Sequence, residues 1–398
     1  MFKQKVSSMK QVLRSTTVTT GLAIFSMLFG AGNLMFPLQA GLSGGHFIPS
    51  MLGFLLGSVL LPLVGLITII LFDGDYRSFF YRIGRIPGAA IIFLCMLIIG
   101  PVIAMPRIVT VSYAMLGPLL PEHSFMLFAC IFLFITFIGA FKENRILDLL
   151  GYVVTPILLL TLAITVIKGL IFPWQVVETS MGPLLAFMIN ARYGLSTLDL
   201  LGTIFFGAIV LSIFKQNIKR VTYVRAHVLG HMALYAGFIG CALLTLVYLG
   251  IGSLGLLHGG EFEQAQAGIL FSDVAMVVLG NSGAIIVIIA VLMAGFSTAI
   301  ALSAVVAEYL QREICHNRLA YIPALIIVLL ATFICSLFGF DWILNASRTV
   351  VEVIGLPIVI TITFANLAYK LFGFKPIKVP VAIVAVCTTC IFVWQLLA

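Results

Sequence analysis

The stretch Phe29-Gly30-Ala31-Gly32-Asn33-Leu34-Met35-Phe36-Pro37 lies in the middle of the first long apolar run, residues 18–42. Each glycine weakens a helix by roughly 1 kcal/mol relative to alanine, so this composition disfavours a continuous helix. Non-helical backbone at membrane depth must be buried in protein or line a polar cavity, because lipid cannot satisfy free N–H and C=O groups. The stretch therefore predicts a broken helix with a binding site at the break. The alternative is a close helix contact around a buried asparagine.

The composition excludes a soluble globular protein. Of the 398 residues, 62% are hydrophobic and 9% are charged, whereas ordinary soluble domains carry about 25% charged residues. Apolar runs of about 20 residues, the length needed to cross a bilayer, mark membrane spans. Eleven are predicted, at residues 18–40, 47–72, 88–117, 124–141, 148–171, 195–214, 226–254, 282–309, 319–339, 343–370 and 379–397.

The basic residues indicate the orientation of these spans. With the N-terminus in the cytosol, all but four of the 22 Lys and Arg residues fall in cytosolic segments, and the four are Arg107, Lys168, Arg192 and Arg348. This bias is the positive-inside rule, and one missed or extra span would destroy it. The net charge of +8 therefore reflects topology and not nucleic-acid binding. We expect a multi-pass protein of a bacterial inner (plasma) membrane with its C-terminus outside.

The order of the spans is consistent with an inverted repeat. Because five is an odd number, a second group of five spans would have the opposite topology, as in many transporters with one broken helix in each half. One transporter domain, residues 1–398, would then contain repeat one at about 17–171, repeat two at about 183–371 and an extra C-terminal span at about 379–397. The sixth span should also be broken, because polar and small residues interrupt it: Ser196, Thr197, Asp199, Gly202, Thr203 and Gly207.

Polar side chains within the spans are candidates for the binding chemistry. Asn33 could coordinate a cation, tether the two half-helices, or simply be a buried asparagine. The hydroxyls of Ser297 and Thr298, with the Ala294 carbonyl one turn earlier, could supply oxygens to a monovalent cation. The alternative is that these hydroxyls only bond the carbonyl four residues back or pack closely.

Charged residues in spans are functional candidates by default. Arg107 is one, in the third span. Asp199 is another, although an outer mouth would accommodate a carboxylate at little cost. Arg348 and Glu352 are four apart in the tenth span, so they should share a helix face and pair in a structural or gating role.

Several other functions find no support. The chain has no nucleotide-binding loop of the form GxxxxGK[ST] and no set of catalytic residues, so we expect no enzyme activity. The histidines show no metal-ligand spacing. No cofactor, nucleic acid or obligatory protein partner is expected; the partners would be a substrate, a coupling ion and the lipid bilayer.

Four stretches resemble the branched-chain amino acid:cation symporter family of BrnQ-type carriers. They are FGAGNLMFP at 29–37, IGPVIAMPR at 99–107, LSTLDLLGTIFFGAIV at 195–210 and ALSAVVAEY at 301–309. The resemblance implies an all-α polytopic membrane protein with a LeuT-like five-plus-five inverted repeat, broken first and sixth helices, and one or two additional C-terminal helices. It also implies import of leucine, isoleucine and valine with sodium.

The resemblance to sodium-coupled transporters of that fold also implies site residues. The substrate would lie against the two breaks, at Gly30, Ala31, Gly32, Asn33, Thr203, Phe205, Phe206 and Gly207. Sodium would be the coupling ion, held by Ala294, Ser297 and Thr298, with backbone carbonyls near Ser26 and Phe29.

Two alternatives to sodium symport stay open. A proton-coupled symporter of the same fold would use Asp199 or Glu352. A non-transporting amino acid receptor is a different class, and it would bind substrate without accumulating it.

Overall fold

The structure is a computed structural model that describes residues 16–42, 46–121, 123–142, 146–171, 181–219, 226–258, 269–280 and 283–397. These residues form helices and connecting turns, with no strand among them. The main helices are α1 (Thr16–Leu28), α2 (Gly32–Gly41), α3 (Phe47–Leu71), α4 (Tyr76–Tyr81), α5 (Arg85–Leu116), α6 (Phe125–Ala140), α7 (Leu150–Ile171), α8 (Pro183–Leu195), α9 (Asp199–Lys219), α10 (Ala226–His258), α11 (Leu270–Leu279), α12 (Gly283–Ile314), α13 (Tyr321–Ser336), α14 (Phe340–Phe372) and α15 (Lys378–Leu397).

The apolar helices establish a multi-pass membrane protein. Within the described residues, seven helices are long and apolar enough to cross a membrane, and two bent helix pairs bring the number to nine. The predicted fourth and ninth spans form α6 and α13, which have 16 residues each. That is shorter than the roughly 20 residues of a typical spanning helix.

The predicted first and sixth breaks are both present. Helices α1 and α2 meet at 76°, and α8 meets the start of α9 at 41°. The predicted start of the sixth span at residue 195 was wrong, because the span begins at Pro183. Asn190 and Arg192 interrupt the apolar run of α8, which hid it from a hydropathy count. Both have partners in the fold: the Asn190 amide donates to the Ala186 carbonyl at 2.8 Å, and Arg192 pairs with a carboxylate of α14.

Glycines bring the broken helices close to their neighbours. A Cβ on Gly41 of α2 would lie 1.9 Å from the Gly252 carbonyl oxygen of α10. A Cβ on Gly53 of α3 would lie 2.2 Å from the Phe187 carbonyl oxygen of α8. In lipid, helices associate largely by van der Waals packing, which favours small residues at contacts. These glycines therefore position one half of each broken span, α2 in the first and α8 in the sixth.

Helix α12 is the centre of the second packing group. It contacts α5, α6, α7 and α13, and all residues from Ala294 to Ala307 are buried. Opposite it, α5 is kinked at Gly100, whose φ of −94° and ψ of −125° are not helical. Pro101 follows, and proline cannot donate a helical backbone hydrogen bond. The kink turns the second half of α5 toward the two breaks.

In the segment between α10 and α12, acidic residues are interspersed among small apolar ones, a pattern that favours short amphipathic helices. Helix α11 is such a helix, with Phe271 and Val274 buried and Asp273 partly exposed. Glu261 and Glu263 lie outside the described residues.

Candidate functional site

The break in the first span is a short non-helical segment held by local hydrogen bonds. The Gly30 N–H donates to the Leu28 carbonyl at 3.1 Å, and the Asn33 N–H donates to the Gly30 carbonyl at 2.9 Å. The Asn33 side-chain amide reaches back to the Leu28 carbonyl at 2.8 Å. This bond satisfies a carbonyl that the end of α1 leaves free, so the geometry matches the tethering alternative for Asn33.

The break in the sixth span is held by Arg107. Its Nη1 donates to the Ser196 carbonyl at 2.7 Å and its Nη2 to the Thr197 carbonyl at 3.1 Å. The last carbonyls of a helix have no intrahelical donor and carry a partial negative charge, so a guanidinium both satisfies and neutralises them. The following residue, Leu198, has a φ of +63°, a left-handed conformation that turns the chain into α9.

Asp199 joins the two breaks. It is the first residue of α9 and is buried, with 7% of its surface exposed. The Asn33 Nδ2 lies 3.1 Å from Asp199 Oδ2 and 2.6 Å from Tyr248 Oη, and the Tyr248 hydroxyl donates to Asp199 Oδ2 at 3.4 Å. The outer-mouth interpretation of Asp199 was therefore wrong. The carboxylate is tolerated because neutral donors surround it and because it lies at the positive end of a helix dipole.

Tyr248 is a residue that the sequence analysis did not identify. It is fully buried in α10, and its ring stacks on Phe29 at a centroid distance of 5.8 Å and meets Phe54 edge-on at 5.2 Å. A lone phenol inside an apolar span is a weak signal, because a buried hydroxyl needs a partner. Nothing in the sequence indicated that this partner would be Asn33 and Asp199.

The two breaks and α12 enclose a cavity of about 40 Å³. Five of the predicted site residues line it: Gly30, Gly32, Asn33, Phe206 and Thr298. The other lining residues include two with charged side chains, Arg107 and Asp199. Apolar side chains form much of the remaining wall, among them Met27, Leu28, Ile99, Ile108, Leu198 and Leu302.

Four predicted substrate residues lie elsewhere. Phe205 stacks on Phe80 at 6.1 Å, and a Cβ on Gly207 would lie 2.4 Å from Ile69 of α3. The Thr203 hydroxyl donates to the Asp199 carbonyl of its own helix at 2.6 Å, and Ala31 does not line the cavity. The reason is helical periodicity: residues 199, 202 and 206 share one face of α9, and the neighbouring positions turn away from it.

The predicted cation residues are close together. The Ser297 Oγ is 2.9 Å from the Ala294 carbonyl oxygen and 3.5 Å from the Phe29 carbonyl oxygen at the first break. A Cβ on Gly30 would lie 3.2 Å from Thr298 Oγ1, which places that hydroxyl against the same break. The Oγ1 of Thr298 and the Oγ of Ser26 are buried and have no hydrogen-bond partner among the described residues.

Glu352 does not form the predicted pair with Arg348. Its Oε2 is 3.0 Å from Arg192 Nε and its Oε1 accepts from the Ser196 hydroxyl at 2.7 Å. Residues 347–355 of α14 form a π-helix, and the two contacts from α8 and the sixth-span break occupy both carboxylate oxygens of Glu352. Glu352 therefore links α14 to the end of α8, beside the sixth-span break.

Comparisons with known proteins identify the family of the chain. The family model described as branched-chain amino acid transport protein matches residues 13–397. The branched-chain amino acid permease BrnQ of Corynebacterium glutamicum is 30% identical over 360 residues, which cover 89% of this chain and 81% of that protein. The branched-chain amino acid permease BraB of Bacillus subtilis is 30% identical over 376 residues, which cover 89% and 80%.

Solved structures show a similar fold. A manganese transporter of Eremococcus coleocola superimposes with a TM-score of 0.65 at 15% identity, covering 97% of this chain and 86% of that one. At this identity the likeness concerns the fold alone. It confirms the predicted all-α polytopic membrane fold, while the LeuT-like arrangement of two five-span repeats stays a prediction.

Proposed function

Because the chain belongs to the branched-chain amino acid transport protein family, we propose that it is a secondary active importer of leucine, isoleucine and valine, driven by sodium symport with alternating access. The observation that carries the proposal is the meeting of two broken spans around one cavity. Broken helices that face each other near the middle of the membrane are the usual binding device of secondary transporters. The N-terminus of α2, at Gly32, would attract the substrate carboxylate.

The size of the cavity supports alternating access. A volume of about 40 Å³ holds a few water molecules, since roughly 10–15 Å³ suffices for each, and it is too small for leucine. Substrate binding would therefore separate the helices that enclose the cavity. The apolar wall, including Phe206, would receive the branched side chain. Apolar fit discriminates by only about 1–3 kcal/mol per methylene, so several aliphatic amino acids should compete.

The polar atoms at the first break fit sodium. The Phe29 and Ala294 carbonyls and the Ser297 and Thr298 hydroxyls are neutral oxygens, which can bind an ion without retaining it too tightly. The unpartnered Thr298 Oγ1 would coordinate the ion, which would offset the cost of burying a hydroxyl without a hydrogen bond. In this arrangement sodium would link α1 to α12 and stabilise the outward-open state.

The orientation is part of the proposal. Two contacts join segments predicted to be cytosolic: Arg77 pairs with Glu313, and Arg82 Nη2 donates to the Phe374 carbonyl at 3.1 Å. Both contacts support the predicted topology, in which these segments lie on the same side of the membrane. We place the protein in the bacterial inner membrane, with the N-terminus cytosolic and the C-terminus outside.

Leucine uptake into proteoliposomes tests the proposal, with and without an inward sodium gradient at fixed pH. We expect sodium-dependent accumulation that isoleucine and valine compete. Ser297→Ala with Thr298→Ala removes two proposed ligands and should raise the sodium concentration for half-maximal uptake by at least about tenfold, the equivalent of about 1.4 kcal/mol. Ser303→Ala is the matched control, because its hydroxyl bonds only the Ile300 carbonyl of its own helix. Unchanged sodium dependence in the double variant would remove both residues from the mechanism.

Proton coupling is the second candidate, because Asp199 is a buried carboxylate at the centre of the site. Uptake that persists without sodium and collapses with a protonophore would favour it. Leucine binding without accumulation under either gradient would favour a receptor.

A further inference from the structure

The backbone oxygens at the sixth-span break are already bonded. The Ser196 and Thr197 carbonyls accept from the Arg107 guanidinium, and the Leu198 carbonyl accepts from the N–H groups of Leu201 and Gly202. Free carbonyls at such a break could otherwise receive the substrate ammonium group. Their bonding leaves a different acceptor facing the cavity, the carboxylate of Asp199.

The cavity is lined by two opposite charges that do not pair. Arg107 and Asp199 are 5% and 7% exposed, and no ion pair joins them in the part of the chain that the structure describes. Asp199 accepts from the neutral donors Asn33 and Tyr248. A buried carboxylate without a cationic partner is costly, so a cation entering the cavity would find strong stabilisation there.

Arg107 lines the same cavity. A Cβ on Gly32 would lie 4.0 Å from Arg107 Nε, so this edge of the guanidinium lies beside the N-terminus of α2. The two Nη atoms are bonded to the sixth-span carbonyls, which fixes the position of the group. Guanidinium and helix N-terminus both favour a carboxylate.

We propose that Asp199 binds the α-ammonium group of the substrate while Arg107 and the N-terminus of α2 bind its carboxylate. The site is then complementary to a zwitterion with an aliphatic side chain. This rests on the proposed function and deepens it, because it names the groups that select an α-amino acid over a fatty acid or an alkylamine. Asn33 and Tyr248 are positioning residues that hold the Asp199 carboxylate toward the cavity.

Equilibrium binding of labelled leucine to the purified protein tests this assignment at saturating sodium, independently of transport. The competitors are 4-methylpentanoate, which is leucine without its ammonium group, and 3-methylbutan-1-amine, which is leucine without its carboxylate. Each should bind the unmodified protein at least about 100-fold more weakly than leucine, since sites built to bond a polar group reject analogues that lack it. Binding of 4-methylpentanoate as tight as that of leucine would overturn the assignment without any variant.

Asp199→Asn should weaken leucine binding by at least about 30-fold, the effect of truncating one partner of a buried charged contact. It should change 4-methylpentanoate binding by less than about threefold, and Asp199→Glu should recover part of the leucine affinity. Asp273→Asn is the control, since Asp273 does not line the cavity.

The remaining outcomes overturn the assignment in distinguishable ways. Leucine affinity retained in Asp199→Asn, with loss of uptake driven by a pH gradient, would make Asp199 a proton carrier. An equal loss of affinity for leucine and 4-methylpentanoate would make Asp199 a structural residue. In both cases import of branched-chain amino acids would stand, although the first outcome would replace sodium by protons as the coupling ion. Absence of leucine binding to the unmodified protein would overturn the proposed function and this inference together.

Discussion

The ion pair between Arg192 and Glu352 should respond asymmetrically to mutation. The Glu352 side chain is 4% exposed and the Arg192 side chain is 62% exposed. Arg192→Gln would leave a buried carboxylate with only the Ser196 hydroxyl as donor. Glu352→Gln would leave a solvated guanidinium and keep an oxygen that accepts from Ser196. Removing the exposed partner should therefore destabilise the protein more than removing the buried one.

The expected changes in the free energy of unfolding follow from the exposed fractions of the two side chains. Breaking a fully buried pair costs about 3–5 kcal/mol. Because water reaches Arg192, its attraction to Glu352 is partly screened, and we expect about 2–3 kcal/mol for Arg192→Gln. Glu352→Gln exchanges a charged for a neutral hydrogen bond and should cost about 1 kcal/mol. The double variant should also cost about 1 kcal/mol, since no buried charge remains. The coupling energy is then about −2 to −3 kcal/mol.

Thermal melting of the three purified variants in detergent tests the predicted order of their stabilities. Arg192→Gln should have the lowest midpoint, and adding Glu352→Gln to it should raise the midpoint. The Ser196 carbonyl also accepts from Arg107, so Arg192→Gln should weaken leucine binding as well. A double variant that melts below both single variants would refute the reasoning, because independent contacts would then add.

Two glycine substitutions complete the predictions. Gly32→Ala should preserve leucine binding, because a Cβ there meets nothing closer than 3.6 Å, whereas Gly32→Leu should abolish binding by filling the cavity. Tight leucine binding by Gly32→Leu in an equilibrium assay would contradict the site. Gly41→Ala should lower the yield of folded protein, because its Cβ would lie 1.9 Å from a carbonyl oxygen of α10. Gly355→Ala is the control, with its nearest neighbour at 3.8 Å; equal yields and equal melting midpoints for these two variants would show that α2 and α10 separate easily.

Much of the fold could be predicted from the sequence because it depends on local composition. Runs of apolar residues show where the chain crosses the membrane, since each span must satisfy its own backbone. The two breaks were also readable, because Gly30, Gly32 and Asn33 weaken a helix wherever they occur. The first half of the sixth span was missed because Asn190 and Arg192 resemble loop residues until their partners are known.

The composition of the site depended on the tertiary structure. Asn33, Asp199 and Tyr248 are separated by 166 and 49 residues along the chain, and no local pattern connects them. On α9 the helix rotation decides that Phe206 faces the cavity and Phe205 does not. The partner of Glu352 was mispredicted because the fold brings Arg192 to it from 160 residues away in the chain, which no local spacing indicates.

The sequence by itself determined the class of protein, the positions of the two breaks and the residue types available at them. Those features follow from the free-energy cost of exposing backbone polar groups and charges to lipid. Each segment avoids that cost through its own composition and its own backbone hydrogen bonds. Only the tertiary structure decided which carbonyls accept hydrogen bonds from Arg107 and which carboxylate faces the cavity. These outcomes depend on how faces of distant helices pack together, because a buried charge is stabilised only by the groups that the fold places within its reach.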